Sequence, residues 1–312
     1  MRSAVAARRL PRPALSRPAA GALFCIASGA AFGAMAVFGK LAYDEGATVG
    51  TLLGVRFTLA AVMFWVLIPL REIRALPRRD VGTGLALGAG GYALQAGCYF
   101  VALGRIEAPL LGLLLYTFPA IVAVAAVALG RERFGSRHVI AVCLAGGGLT
   151  LALAGASDGA LDPLGVALGL GAAVVYSAYI LVSDPITRRI RPQLLATLVC
   201  TGAAVTLLVG SIALGEFRPG DLTAAGWGWL LCLAAVSTVT AISLFFAGLE
   251  RVGPTLAAIL STVEPLVTVL LALVVLGEKL GALQLLGGAL VLAAVIPATL
   301  AATRAKIPVT QR

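Results

Sequence analysis

Charge is scarce in this chain. Across 312 residues only 12% are Asp, Glu, Lys or Arg, while 60% are hydrophobic and the mean hydropathy is +1.01. A soluble domain carries about a quarter charged residues, so there is too little polar surface here to cover a globule. The same shortage excludes a disordered chain or a coiled coil. Histidine occurs once, as His138 beside Arg137 in a link between apolar stretches, where a solvated role is expected. The five cysteines (Cys25, Cys98, Cys143, Cys200, Cys232) include no close pair and all fall in apolar stretches. They read as small packing residues, not as disulfides or metal ligands. No metal or cofactor is therefore expected. What survives these exclusions is a membrane protein that crosses the bilayer many times.

Ten stretches are long enough to cross, given about 30 Å of hydrocarbon and about 1.5 Å of rise per residue. They run over 20–39, 49–70, 81–104, 108–130 and 139–157, then 163–183, 193–215, 222–249, 252–277 and 280–303. Only Arg56 and Glu264 are ionisable inside them. The links hold nearly every other charge and are too short for a soluble domain. With the N-terminus placed in the cytoplasm, alternate segments collect 19 Lys and Arg on the inside against four outside. That asymmetry puts both ends inside and supports an even number of crossings. The net charge of +10 is then a topology signal facing anionic lipid and implies no nucleic-acid partner. The Arg-rich tail of residues 1–19 is expected to be a cytoplasmic segment, because the apolar stretch behind it is needed as a crossing; a cleaved signal peptide is the alternative.

Glycine is abundant, at 37, and mostly lets helices approach closely. Gly88-x-Gly90-x-x-Ala93 mimics a dinucleotide fingerprint but lies within a membrane stretch with no strand before it. Nothing supports ATP hydrolysis.

The chain repeats itself. Tyr99–Gly135 and Phe245–Gly281 align without a gap at an offset of 146, matching Phe100 with Phe246, Arg105 with Arg251, Pro119 with Pro265 and Glu132 with Glu278. The unit holds five crossings. Because five is odd, two units in series enter the bilayer from opposite sides, which expects Glu132–Arg133 inside and Glu278–Lys279 outside. Inverted repeats around a central site are the architecture of many secondary carriers. The paired segments YTFPAIVAVAAVALGRER and STVEPLVTVLLALVVLGEKL, with the isolated arginine of the second crossing, resemble the EamA branch of the drug/metabolite transporter superfamily. The resemblance covers about residues 20–303. It implies an all-α integral membrane protein of ten transmembrane helices in two inverted five-helix repeats, 20–157 and 163–303, with cytoplasmic tails at 1–19 and 304–312. It also implies carriage of a small metabolite across the inner membrane, and it names no substrate.

Glu264 is the sharpest candidate residue, since an ionised side chain at mid-membrane costs at least about 2.5 kcal/mol. Ser261, Glu264 and Thr268 share one helix face, and Pro265 is expected to kink that helix and free the Ser261 carbonyl. Pro119 is its counterpart, and the two are read as gate elements. Glu264 is either a ligand contact or proton carrier, or a structural acid pinning a bend. Arg56, about 10 Å from the outer end of its helix, either snorkels outward, pairs with Glu264 or attracts an anionic substrate. Tyr92, Gln95 and Tyr99 fall on one face, as do Tyr176, Tyr179 and Ser183, and Tyr116 sits opposite Thr262 in the repeat. These stripes face the bundle interior, lining a site or packing with satisfied hydroxyls. Trp65, Trp227, Trp229 and Tyr43 lie near span ends and read as interface anchors.

The expected activity is secondary transport of an amino acid, related metabolite or toxic organic compound by alternating access, in the export direction. The alternatives are an uptake permease and an integral-membrane lipid-modifying enzyme. The enzyme needs clustered His, Asp, Glu or Cys at one interface, which this sequence lacks. Expected partners are the substrate and the lipid bilayer, with a homodimer left open.

Overall fold

The computed structural model describes residues 17–130, 135–155, 162–187, 189–252, 257 and 260–305. Among these residues the chain is helical and contains no strand. Nine helices are long and apolar enough to cross a membrane: α1 (Pro18–Asp44), α2 (Val49–Leu67), α3 (Arg78–Leu103), α4 (Ala108–Ala128), α5 (Ser136–Ala154), α6 (Pro163–Ser183), α7 (Pro192–Ala213), α8 (Ala224–Val252) and, after a shorter apolar helix α9 (Val263–Leu276), α10 (Ala282–Leu300). Hydrocarbon offers no partner to a backbone N–H or C=O, so apolar segments of this length satisfy themselves as helices. Their starts are marked in the sequence. Thr48 and Thr223 accept from the backbone N–H of Thr51 and Gly226 at 3.0 and 3.1 Å, capping α2 and α8. Pro109 and Pro192 occupy the first turn of α4 and α7, where no N–H is required.

The two central prolines act differently from expectation. A kink was expected within a continuous ninth crossing over 252–277. Instead α9 begins at Val263, with Pro265 in its first turn, after a turn at Ser261–Thr262. Likewise α4 breaks at Tyr116–Thr117 and restarts at Phe118, with Pro119 again in the first turn. Proline lacks an N–H and starts a helix more readily than it bends one, so each site is a break and a restart. The first part of the expected ninth crossing, and the Glu132–Arg133 segment, lie outside the described residues.

Helix contacts follow the repeat. The first helix of each repeat packs on the third of the other, α1 on α8 and α6 on α3. It also meets the fourth of the other, α1 on α9 and α6 on α4. The second helices pack on each other, α2 on α7, and so do the fifth, α5 on α10. Exchanging the repeats leaves this pattern unchanged. The α5–α10 crossing is close: a Cβ on Gly148 would lie 2.6 Å from the Gly287 carbonyl oxygen, and one on Gly287 would lie 2.4 Å from that of Gly148. Outward-facing Val66, Leu214 and Val274 are strongly exposed, as a lipid-facing surface requires.

One further expectation is corrected. His138 is not solvated: it is the third residue of α5 and only 4% exposed. Of the proposed interface anchors, Tyr43 donates its hydroxyl to the Phe100 carbonyl at 2.8 Å, and Trp229 stacks on Phe38 at 5.9 Å. Both are half-buried.

Gly148→Leu or Gly287→Leu should therefore destabilise the protein by about 1–3 kcal/mol through overpacking, lowering its thermal midpoint in detergent. Gly146→Leu is the control, because nothing lies within 4 Å of a Cβ placed there.

Candidate functional site

Between the repeats lies a cavity of about 530 Å³. Its walls come from both halves, and it reaches from Arg56, Tyr99 and Phe100 at the core to Ser183, Pro192 and Thr299. The latter three mark the bundle end where α6 and α10 finish and α7 begins. Among the sequence candidates, Arg56, Tyr92, Gln95, Tyr99, Tyr116, Pro119, Tyr176, Tyr179, Ser261 and Glu264 all line this space. Thr268 and Pro265 do not. Both are buried, and Thr268 spends its hydroxyl on the Gly33 carbonyl at 2.9 Å, tying α9 to α1.

Glu264 is held by the opposite repeat. The Tyr116 hydroxyl, at the break in α4, lies 2.9 Å from Glu264 Oε2 and 3.0 Å from the Ser261 carbonyl. That carbonyl also accepts from the Glu264 N–H at 3.0 Å, so the break before α9 is satisfied on both sides. A phenol has one proton and here faces two acceptors. With Glu264 protonated, its carboxyl donates to Tyr116 and Tyr116 donates to Ser261, filling both bonds. With Glu264 ionised, the phenol turns to the carboxylate and leaves Ser261. The Tyr116 hydroxyl can thus serve either acceptor, and both lie on the α9 side of the contact.

Arg56 neither snorkels nor pairs with Glu264. It is 2% exposed, and its Nε donates to Thr238 Oγ1 at 3.0 Å while Nη2 lies 3.1 Å from Met35 Sδ. Its guanidinium carbon sits 4.9 Å from the Phe57 ring and 5.2 Å from the Phe100 ring, a cation–π setting that suits a desolvated arginine. Thr238 reaches it from a π-helical segment of α8, Ala235–Thr240, and donates its own hydroxyl to the Leu233 carbonyl at 2.8 Å.

Aromatic rings connect the two ionisable groups. Tyr116, Phe118, Tyr176, Tyr179, Tyr92 and Phe57 follow one another at centroid spacings of 5.8, 4.8, 6.4, 5.6 and 5.5 Å. This chain runs from the Glu264 partner to the ring under Arg56. Five of the six tyrosines line the cavity, which makes its wall greasy but studded with hydroxyls, a surface suited to an amphipathic organic molecule. Sequence reasoning missed Phe118, Phe245 and Phe246 as wall residues, and Thr238 and Met35 as partners of Arg56. The Phe100/Phe246 match was visible as a repeat marker, and both rings face the cavity.

At the opposite end the repeats are sealed. Lys40 Nζ and Glu278 Oε1 are 2.5 Å apart, and Arg105 pairs with Asp162 at 3.0 Å. Thr48 bonds the Glu216 carbonyl, and Thr223 bonds Glu45.

The fold and this cavity can be set beside known proteins. The EamA-like transporter family matches residues 19–154 and again residues 163–300. An uncharacterized transporter of Bacillus subtilis, YcbK, is 27% identical over 278 residues, covering 86% of this chain and 89% of that protein. An uncharacterized transporter of Archaeoglobus fulgidus is 29% identical over 222 residues, covering 70% of this chain and 78% of that protein. A protein of known crystal structure matches with a TM-score of 0.63 at 20% identity, over 92% of this chain and 99% of that one, a likeness of fold. With both halves matched in order, the chain belongs to the EamA-like transporter family and is a multi-pass membrane transporter, not an enzyme.

Proposed function

We propose that the protein is a secondary carrier that exports a small amphipathic metabolite across the cell's inner membrane by alternating access. The cargo on this reading is an amino acid, a related metabolite or a toxic organic compound. The observation that carries the proposal is the aromatic cavity between the repeats, with Glu264 held at its wall by a side chain of the opposite repeat. A cavity open toward one end and sealed at the other suits one state of a carrier. Its alternative state arises if the repeats are inverted copies that rock against each other. The exchange-symmetric contacts of α1 with α8 and α6 with α3 support that relation. The distribution of Lys and Arg favours cytoplasmic termini, so the cavity faces the cytoplasm, as an exporter needs for loading.

Glu264 is the coupling residue in this scheme, and the walls formed by Arg56, Tyr92, Gln95, Tyr99, Tyr116, Tyr176, Tyr179 and Ser261 bind the cargo. Pro119 and Pro265 start the second segments of the two broken helices, which lie in opposite halves of the bilayer if the repeats are inverted, and serve as gate elements. Thr268 anchors the second of these helices to α1. An uptake permease would use the same site and differ only in the direction of its driving gradient.

Two outcomes follow. In proteoliposome counterflow against a panel of amino acids, nucleosides, polyamines and cationic dyes, Glu264→Gln should abolish flux or flatten its pH dependence while the protein still inserts. Flux unchanged across pH removes Glu264 from the mechanism. Reporter fusions after Arg133 and after Lys279 should report from opposite sides of the membrane, and reports from one side contradict the inverted arrangement.

A further inference from the structure

Glu278 occupies a junction of three helices at the sealed end. The helix before it ends at Gly277, whose φ of 69° is left-handed and strained for any residue with a side chain. This sharp turn takes Glu278 off the α9 axis and toward the first repeat. There Oε1 receives Lys40, in the C-terminal part of α1, at 2.5 Å, and Oε2 receives the backbone N–H of Ala108, the first residue of α4, at 2.9 Å. A carboxylate at a helix N-terminus is favoured by the unpaired N–H groups and by the helix dipole. Both bonds are charge-assisted, a class about twice as strong as neutral hydrogen bonds.

This contact differs from its neighbours. The Lys40 and Glu278 side chains are 23% and 12% exposed, whereas those of the Arg105–Asp162 pair are 41% and 34% exposed. It is the least exposed ion pair given by the described residues. Next to it, burial and the charge of Glu278 hold the Glu107 carboxyl above the usual carboxylate range, with Lys40 acting in the opposite direction. One acidic side chain of the second repeat therefore binds two helices of the first, on the face away from the cavity mouth.

We propose that Glu278 is the latch of the sealed end: it clamps Lys40 and the α4 N-terminus to the second repeat, and its release opens the cavity on that face. The inference rests on the carrier reading and adds to it a named residue pair that must separate in each cycle. A static salt bridge would have the same geometry but would not control access.

The test reads access and needs no substrate. In a variant whose five cysteines are replaced by alanine, Gln95→Cys places one thiol on the cavity wall. A membrane-impermeant methanethiosulfonate is applied to spheroplasts and, separately, to inverted vesicles, with the reporter fusions identifying the Glu278 face. From that face the thiol should react slowly, and Glu278→Gln or Lys40→Gln should each raise the rate about tenfold, the population shift expected when a charge-assisted bond is lost. Bridging Lys40→Cys and Glu278→Cys with a reducible bis-methanethiosulfonate should block the reaction from that face, and reduction should restore it. Wild-type rates in both single variants, with normal labelling from the other face, overturn the latch and leave the carrier reading intact. A thiol unreactive from both faces overturns the carrier reading and the latch together.

Discussion

One phenolic hydroxyl joins two places where the helical hydrogen-bond ladder is interrupted, one in each repeat. A membrane helix cannot break without exposing polar backbone, and in hydrocarbon each such group costs several kcal/mol unless something covers it. Here the break at Tyr116–Thr117 supplies the side chain that covers the break at Ser261–Thr262. The same hydroxyl holds Glu264. Neither interruption stands alone, so the two halves are obliged to meet at this point, and the cavity forms beside them. A position that must be satisfied across the repeat interface ties the packing of one half to that of the other.

The repeat explains the rest of the site. In each half the third helix carries a π-helical segment, Leu87–Tyr92 in α3 and Ala235–Thr240 in α8. At the offset of 146 residues these nearly coincide, and Tyr92 corresponds to Thr238. Tyr92 joins the aromatic wall, and its counterpart grips Arg56. π-Helical turns occur preferentially at functional sites because the extra residue redirects side chains that a regular helix would hide. One local device, used twice, has given the two halves different chemistry: an aromatic surface in one place and a clamp for a buried cation in the other.

Much of this was readable in the sequence. Hydrophobic length alone gave ten crossings, of which nine are long apolar helices among the described residues and the ninth in order is the shorter Val263–Leu276, and the acidic residue inside the bilayer identifies itself by its cost. Tyrosine stripes at helical spacing pointed inward, as the cavity wall now has them. What the sequence withheld depends on partners far along the chain. Thr238 lies 182 residues from Arg56, and no local pattern links them, so Arg56 invited a snorkelling reading. His138 sits beside Arg137 and looks solvated, yet packing of α5 buries it. The prolines were legible as interruptions but not as helix starts, because that depends on which residue takes the first turn.

The central claim is that two five-helix halves rock about a shared cavity. Distances between spin labels on exposed arginines test it most directly, pairing Arg105 with Arg218 at the sealed end and Arg74 with Arg189 at the other. In lipid nanodiscs each pair should show two distance populations, in complementary proportions at the two ends. A single, unchanging distance at both ends would contradict the account.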